Sequence, residues 1–134
     1  MGIIAELTFL KNDARFKPAL DAEDQKMLEW FLEFDRHMRT LLKETFELLN
    51  EGVSYRVHEQ LQNLEISTDR EIRFLGRMKN FSQINNLKVE EKMLKNAMQR
   101  VNATARIFHQ TGFFLGAGKV DEAKRELETI FRLL

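Results

Sequence analysis

LKVEEKMLKNAMQRVNATARIFHQTGFFL, residues 87–115, is the stretch whose spacing decides the fold. Leu87, Leu94, Val101, Phe108 and Leu115 recur at an unbroken interval of seven. That interval lays five apolar side chains along one stripe of a helix. No Pro interrupts the run, and its first Gly is Gly112. A second row, Ala97, Thr104 and Thr111, lies half a heptad on, flanked by Met98, Ala105 and Gly112. These residues are mostly small. A large row beside a small row marks a helix against which another helix comes close. The stretch therefore reads as the central helix of an antiparallel bundle.

The neighbouring segments extend that reading. Asp21 is a good N-cap, with Glu23 and Asp24 adding negative charge to the first turn that follows. From there a first long helix carries Leu28, Phe31, Phe34, Met38, Leu41, Leu42, Thr45, Leu48 and Leu49 inward. It ends at Asn50-Glu51-Gly52, where Gly52 suits a positive-φ cap. A second long helix follows Ser54, a plausible cap, with a stripe of Val57, Leu61, Leu64, Thr68, Ile72, Leu75 and Met78. A kink or break is expected at Ser67-Thr68-Asp69, and fraying within the polar run 80–86. So short a link makes the two helices antiparallel neighbours. After Gly116-Ala117-Gly118 a short helix runs from Val120 with Val120, Ala123, Leu127, Ile130 and Leu134 inward. It is about half as long as the others, so one end of the bundle lacks a fourth helix. Residues 1–20 are the candidate to cover the gap. Ile3, Ile4, Leu7 and Leu10 allow a short helix, and Phe9, Phe16 and Leu20 allow docking. Pro18 excludes an α-helix through Lys17, so a loop is expected there. The fold expected is all-α: three long helices, one short C-terminal helix, and an N-terminal segment packed across, in one domain spanning 1–134.

Composition agrees. The chain has 134 residues, 43% hydrophobic and 31% charged, with a single Pro and six Gly, a mix suited to one helical globular domain. Cysteine is absent, which removes disulfides, thiolate metal sites and a Cys nucleophile. No apolar run reaches the ~18 residues of a membrane span, and residues 1–6 do not read as a signal peptide. A soluble cytoplasmic protein is the expectation.

Chemistry-bearing motifs are scarce. His37, His58 and His109 fall on three different helices. The run Glu33-Phe34-Asp35-Arg36-His37-Met38 resembles part of a hemerythrin helix. Such di-iron sites need several more His, and the Glu-x-x-His pair of di-iron carboxylate bundles is absent as well. No metal and no cofactor is expected. Gly116-Ala117-Gly118-Lys119 lacks the first Gly, the Ser or Thr and the preceding strand of a phosphate-binding loop, and reads as a helix stop. Residues 113–123 are similar to the helix–Gly–helix corner of a tetratricopeptide unit, without the repeats that architecture needs. No Ser, His and acid pattern suggests catalysis, and pairs such as Glu91 with Lys95 read as solvated neighbours one turn apart.

Charge carries the remaining signal. Net charge is zero, yet residues 1–66 hold 8 basic and 13 acidic side chains and residues 67–109 hold 9 basic and 4 acidic. Arg70, Arg73 and Arg77 share one face of the second long helix, and Lys88, Lys92, Lys95 and Arg106 the outward face of the third. Together they form a possible basic interaction patch. The function expected is a non-enzymatic protein–protein interaction or regulatory module, including association with itself. A homodimer is expected in which Glu29 and Glu33 of one copy meet Lys92 and Arg73 of the other. The alternatives are a nucleic-acid-associated protein using the basic faces, and a small-ligand or enzyme site between helices.

Overall fold

The computed structural model describes residues 4–52 and 55–133. Ile3, the Ser54 cap, Leu134 and the side chains of Ile4, Leu7 and Phe34 lie outside that description. The protein is an all-α antiparallel bundle of α1 (Ile4–Asn12), α2 (Ala22–Asn50), α3 (Tyr55–Ile84), α4 (Lys88–Gly116) and α5 (Val120–Leu133), with a 3-10 turn at Ala14–Ala19. The three long helices stand side by side. Both α1 and α5 pack against α2 and α4, α1 toward one end of the bundle and α5 toward the other. The two short helices thus share the fourth edge, each closing one apolar core.

Local chemistry sets the helix ends. Asp21 holds an extended backbone and its Oδ1 accepts from the Asp24 amide at 2.8 Å, while Asp24 Oδ2 accepts from the Asp21 amide at 3.4 Å. This reciprocal box satisfies two amides that a helix start leaves unpaired. At the far end of α3, Asn86 takes φ +56°, Leu87 N–H donates to Ser82 O at 2.8 Å and Asn86 N–H to Gln83 O at 3.3 Å. The same 6→1 and 5→2 pair closes α4: Gly118 has φ +76°, Lys119 N–H reaches Phe114 O at 2.8 Å and Gly118 N–H reaches Leu115 O at 3.1 Å. The Gly116–Lys119 run is therefore a helix stop.

Three expectations need correction. The α3 helix does not break at Ser67-Thr68-Asp69 but runs unbroken to Ile84, so its end does fall within the polar run 80–86. Its hydroxyls fold back onto the preceding turn: Ser67 to Asn63 O at 2.9 Å, Thr68 to Glu65 O at 2.8 Å, Ser82 to Met78 O at 3.0 Å. Next, the loop expected around Pro18 is a 3-10 turn. Its bonds run from Phe16 N–H to Asp13 O and from Leu20 N–H to Lys17 O, so the N–H that Pro lacks is not needed. Last, the inner stripe of α3 does not pass through Ile72, which is half-buried. Val57, Leu61, Leu64, Thr68, Glu71, Leu75, Met78 and Ser82 are buried, in strict alternating steps of four and three. A carboxylate therefore occupies a core position, and Glu71 is 1% exposed.

Side-chain size decides how close the helices come. The α3–α4 contact is the most extensive in the molecule, and the α4 side of it is the row Leu94, Ala97, Val101, Thr104, Phe108, Thr111 and Leu115, all buried. Ala97, Thr104 and Thr111 let the backbones approach, and both Thr hydroxyls are satisfied one turn back at 3.0 and 2.7 Å. By contrast α2 meets α3 through rings, Phe31 and Phe74 with centroids 5.7 Å apart, and stands further off. The tight row is that of Ala97, fully buried, whereas Ala105 is half-buried. Ala97→Leu is accordingly expected to destabilise by about 1–3 kcal/mol, the usual cost of overpacking a close contact. Thermal melts by circular dichroism check this, and an unchanged midpoint would mean the close contact lies elsewhere.

Candidate interaction surfaces

The seven basic residues expected to form one patch are divided between two sides of the bundle. Arg77 Nη2 donates to buried Asp24 on α2 at 2.8 Å and lies over the Phe74 ring at 5.7 Å. Arg70 lines a groove with Glu23, Lys26, Met27, Trp30 and Phe31, also of α2. Both belong to the α2–α3 seam. Arg73 pairs with Asp69 one turn back at 3.2 Å, and Lys95 with Glu91 at 3.4 Å. Lys88, Lys92 and Arg106 are exposed on α4, and none of the three forms an ion pair among the described residues. The acidic residues expected to meet a second copy are also engaged within the chain. Glu29 faces Lys11 at 4.0 Å, and Glu33 holds Arg36 at 3.0 Å and His37 at 3.2 Å. Exposed pairs of this kind contribute little to stability, but they soften the charge offered to a partner.

The seam between α2 and α3 is open along its length. Near the α2 N-terminus lies the Trp30 groove of about 380 Å³. In the middle, Leu41, Gln60, Asn63, Leu64 and Ser67 line a smaller hollow of about 220 Å³. Toward the α2 C-terminus a groove of about 470 Å³ is lined by Glu44, Glu47, Leu48, Glu51, Arg56, Glu59, Gln60 and Asn63. The cause is the ring-mediated spacing of α2, which leaves a furrow where two helices with small contact residues would have closed. Trp30 is 45% exposed, and half-buried Leu41 and Leu48 line the hollows beyond it, so apolar surface lies along it. Charge is segregated: Lys26 and Arg70 sit at one end, four glutamates at the other. Lys26, Arg70, Glu44, Glu47, Glu51 and Glu59 form no ion pair among the described residues.

The histidines do not converge. His37 sits beside Glu33 and His109 beside Glu65 at 3.3 Å, both well exposed, and His58 is exposed on α3. Among the described residues no three His, Asp or Glu side chains are arranged to hold a metal ion, and no described helix is long and apolar enough to cross a membrane.

Glu71 is the residue the sequence reading missed. The apolar core falls into two clusters, one around Phe16, Phe31, Phe74 and Leu94, the other around Leu42, Leu61, Phe108 and Leu127. Between them α3 contributes Thr68 and Glu71, and α4 contributes Thr104. An antiparallel pair closing at Asn85-Asn86 sets Thr68 level with Thr104 and Glu71 level with Val101. Glu71 is partnered, and its Oε1 is fully enclosed. Such a buried carboxylate is the feature that bears on an inter-helix site. The signal was present: four-and-three steps from Val57 arrive at Glu71, not at Ile72.

The N-terminal segment is clasped to the bundle. Arg15 donates to Asp13 through Nε at 3.0 Å and through Nη2 at 2.7 Å, and its Nη2 also reaches Glu90 on α4. Beneath the clasp, Phe16 is fully buried against Phe9 and Phe81, with centroids 5.5 and 5.6 Å apart. The hydrogen bond from the Arg15 side chain, first, and that from its amide hold the Asp13 carboxyl below the usual aspartate range, and the two carboxylates raise the Arg15 guanidinium. A carboxyl with a depressed folded-state pKa stabilises above its unfolded value, ~3.9, and loses that contribution as pH falls through the folded value. Amide exchange in residues 9–20 should therefore be slow and flat from neutral pH down to the carboxylate range once corrected for intrinsic rates, and accelerate below it. Arg15→Ala should remove that acid step. No protein-family model, curated protein or solved structure matches the chain.

Proposed function

We propose that this protein is a non-enzymatic interaction module acting in the cytoplasm through its α2–α3 seam. The seam itself carries the reading: three grooves in line, apolar side chains exposed along them, and acid and base sorted to opposite ends. Aromatic anchors with a charged rim are how specific protein interfaces are built. A furrow between two helices suits an amphipathic helical surface laid along it. The test is site-specific photocrosslinking in the native cell. A photoreactive phenylalanine at Asn63, which is exposed and lines two of the grooves, is expected to capture a discrete protein adduct. The same group at Gln99, on the outer face of α4, is expected to capture none. Adducts from position 99 and none from 63 would overturn the assignment of the surface.

A second reading rests on Lys88, Lys92 and Arg106, exposed on α4 without ion pairs among the described residues. These suit phosphate contacts, and a nucleic acid is the partner they fit. Binding of that kind is sequence-tolerant and weakens steeply with salt. Reversal of Lys88, Lys92 and Arg106 to Glu should abolish it, as measured by fluorescence anisotropy with a labelled duplex. Binding that survives the reversal would remove this reading.

A further inference from the structure

We infer that the occupant of the α2–α3 seam is the seam of a second copy of the chain, lying antiparallel about a two-fold axis. The inference rests on the seam being the working surface. Its ground is self-complementarity. One end of the seam carries Lys26 and Arg70 beside Trp30, with Glu23 the one acidic residue lining that groove. The other end carries Glu44, Glu47, Glu51 and Glu59 against Arg56. The remaining arginines of the first end are already neutralised, Arg73 by Asp69 and Arg77 by Asp24. So one end offers unpaired positive charge and the other a larger unpaired negative charge.

A two-fold axis perpendicular to the helices exchanges the ends. On α2 it sets Lys26 against Glu47 and Trp30 against Glu44, which puts the axis near Arg36 and His37. On α3 it sets Arg70 against Glu59, which puts the axis near Leu64 and Glu65. With α2 and α3 antiparallel, Phe31 beside Phe74 and Asp24 beside Arg77, these two levels fall within about one helical turn of each other. The central hollow of Leu41, Leu64 and Ser67 lies within about a turn of both and supplies the apolar centre. Every charge contact is then made twice, as an isologous interface requires. The area suffices. A seam of some 30 residues is ~45 Å long at 1.5 Å per residue and ~20 Å wide across two helices. That is roughly 900 Å² per copy, within the range of stable dimers. The pairing expected from sequence, Glu29 and Glu33 against Lys92 and Arg73, is replaced because three of those four are engaged within the chain.

The test uses charge reversal of the full chain, read by light scattering during gel filtration. The wild type is expected at twice the chain mass at about 0.1 M salt. Its dissociation constant should rise at least about tenfold at about 1 M, where the screening length falls from ~10 to ~3 Å. The double change Glu44→Lys and Glu47→Lys should be monomeric, as should Lys26→Glu with Arg70→Glu. An equimolar mixture of the two variants should recover the dimer, since each end then meets its opposite. All four side chains are exposed, and circular dichroism verifies that both variants fold. Trp30 is the single Trp, so its emission should shift to the red on dilution and recover in the mixture. A monomeric wild type at 0.1 M salt, or a dimer that survives both reversals, overturns the inference. A monomer whose crosslinker at position 63 still captures another protein overturns the self-pairing alone and leaves the interaction surface standing.

Discussion

The close approach of α3 and α4 is the contact on which the rest of the molecule depends. Both helices present strict four-and-three stripes, and small residues on α4 let the two backbones come together. Dispersion between well-packed surfaces falls off steeply with separation, so a row of Ala97, Thr104 and Thr111 contributes more to this interface than its modest apolar area suggests. The Thr hydroxyls bring no unsatisfied polar atoms into it, since each donates to a carbonyl one turn back. With that pair fixed, the other helices are placed by what they can bury against it.

The pair also carries the polar layer. Thr68, Glu71 and Thr104 divide the apolar interior into two clusters. A slip of one heptad would carry Glu71 from the level of Val101 to that of Leu94 or Phe108, among buried apolar side chains. Burying a charge among apolar groups costs far more than leaving it in a polar layer. The layer thus penalises the slipped registers that a regular heptad pattern would otherwise tolerate. The split fourth edge follows the same division, with α1 and the 3-10 turn closing one cluster and α5 the other.

The proposed interaction surface is the reverse side of this close packing. Because α2 packs through Phe31, Met38 and Leu42, it cannot approach α3 as closely as α4 does, and a furrow is left between them. Its charges are arranged by helix periodicity. Glu44, Glu47 and Glu51 recur at steps of three and four on the shoulder of α2, as Lys26 and Trp30 do at its other end. The same pattern that builds the core thereby sorts the residues beside it along a line.

The sequence by itself determined the helices, their number and their stops. Heptad spacing, Asp21, Gly52 and Gly118 act over one or two turns, and short-range signals of this kind are readable without a partner. It also determined that one end of the bundle needed covering, because Val120 begins a helix too short to span it. Two things lay beyond it. The substitution of Glu71 for Ile72 in the stripe turns on a rotation of one residue, and a carboxylate at a core position contradicts the hydrophobicity on which the reading of a stripe relies. The division of the basic residues was hidden for a related reason. Arg70 and Arg77 are off the stripe in any register, but whether they face α2 or α4 depends on which neighbour flanks which shoulder of α3. Spacing fixes a direction around one helix; only the packed bundle says what stands in that direction.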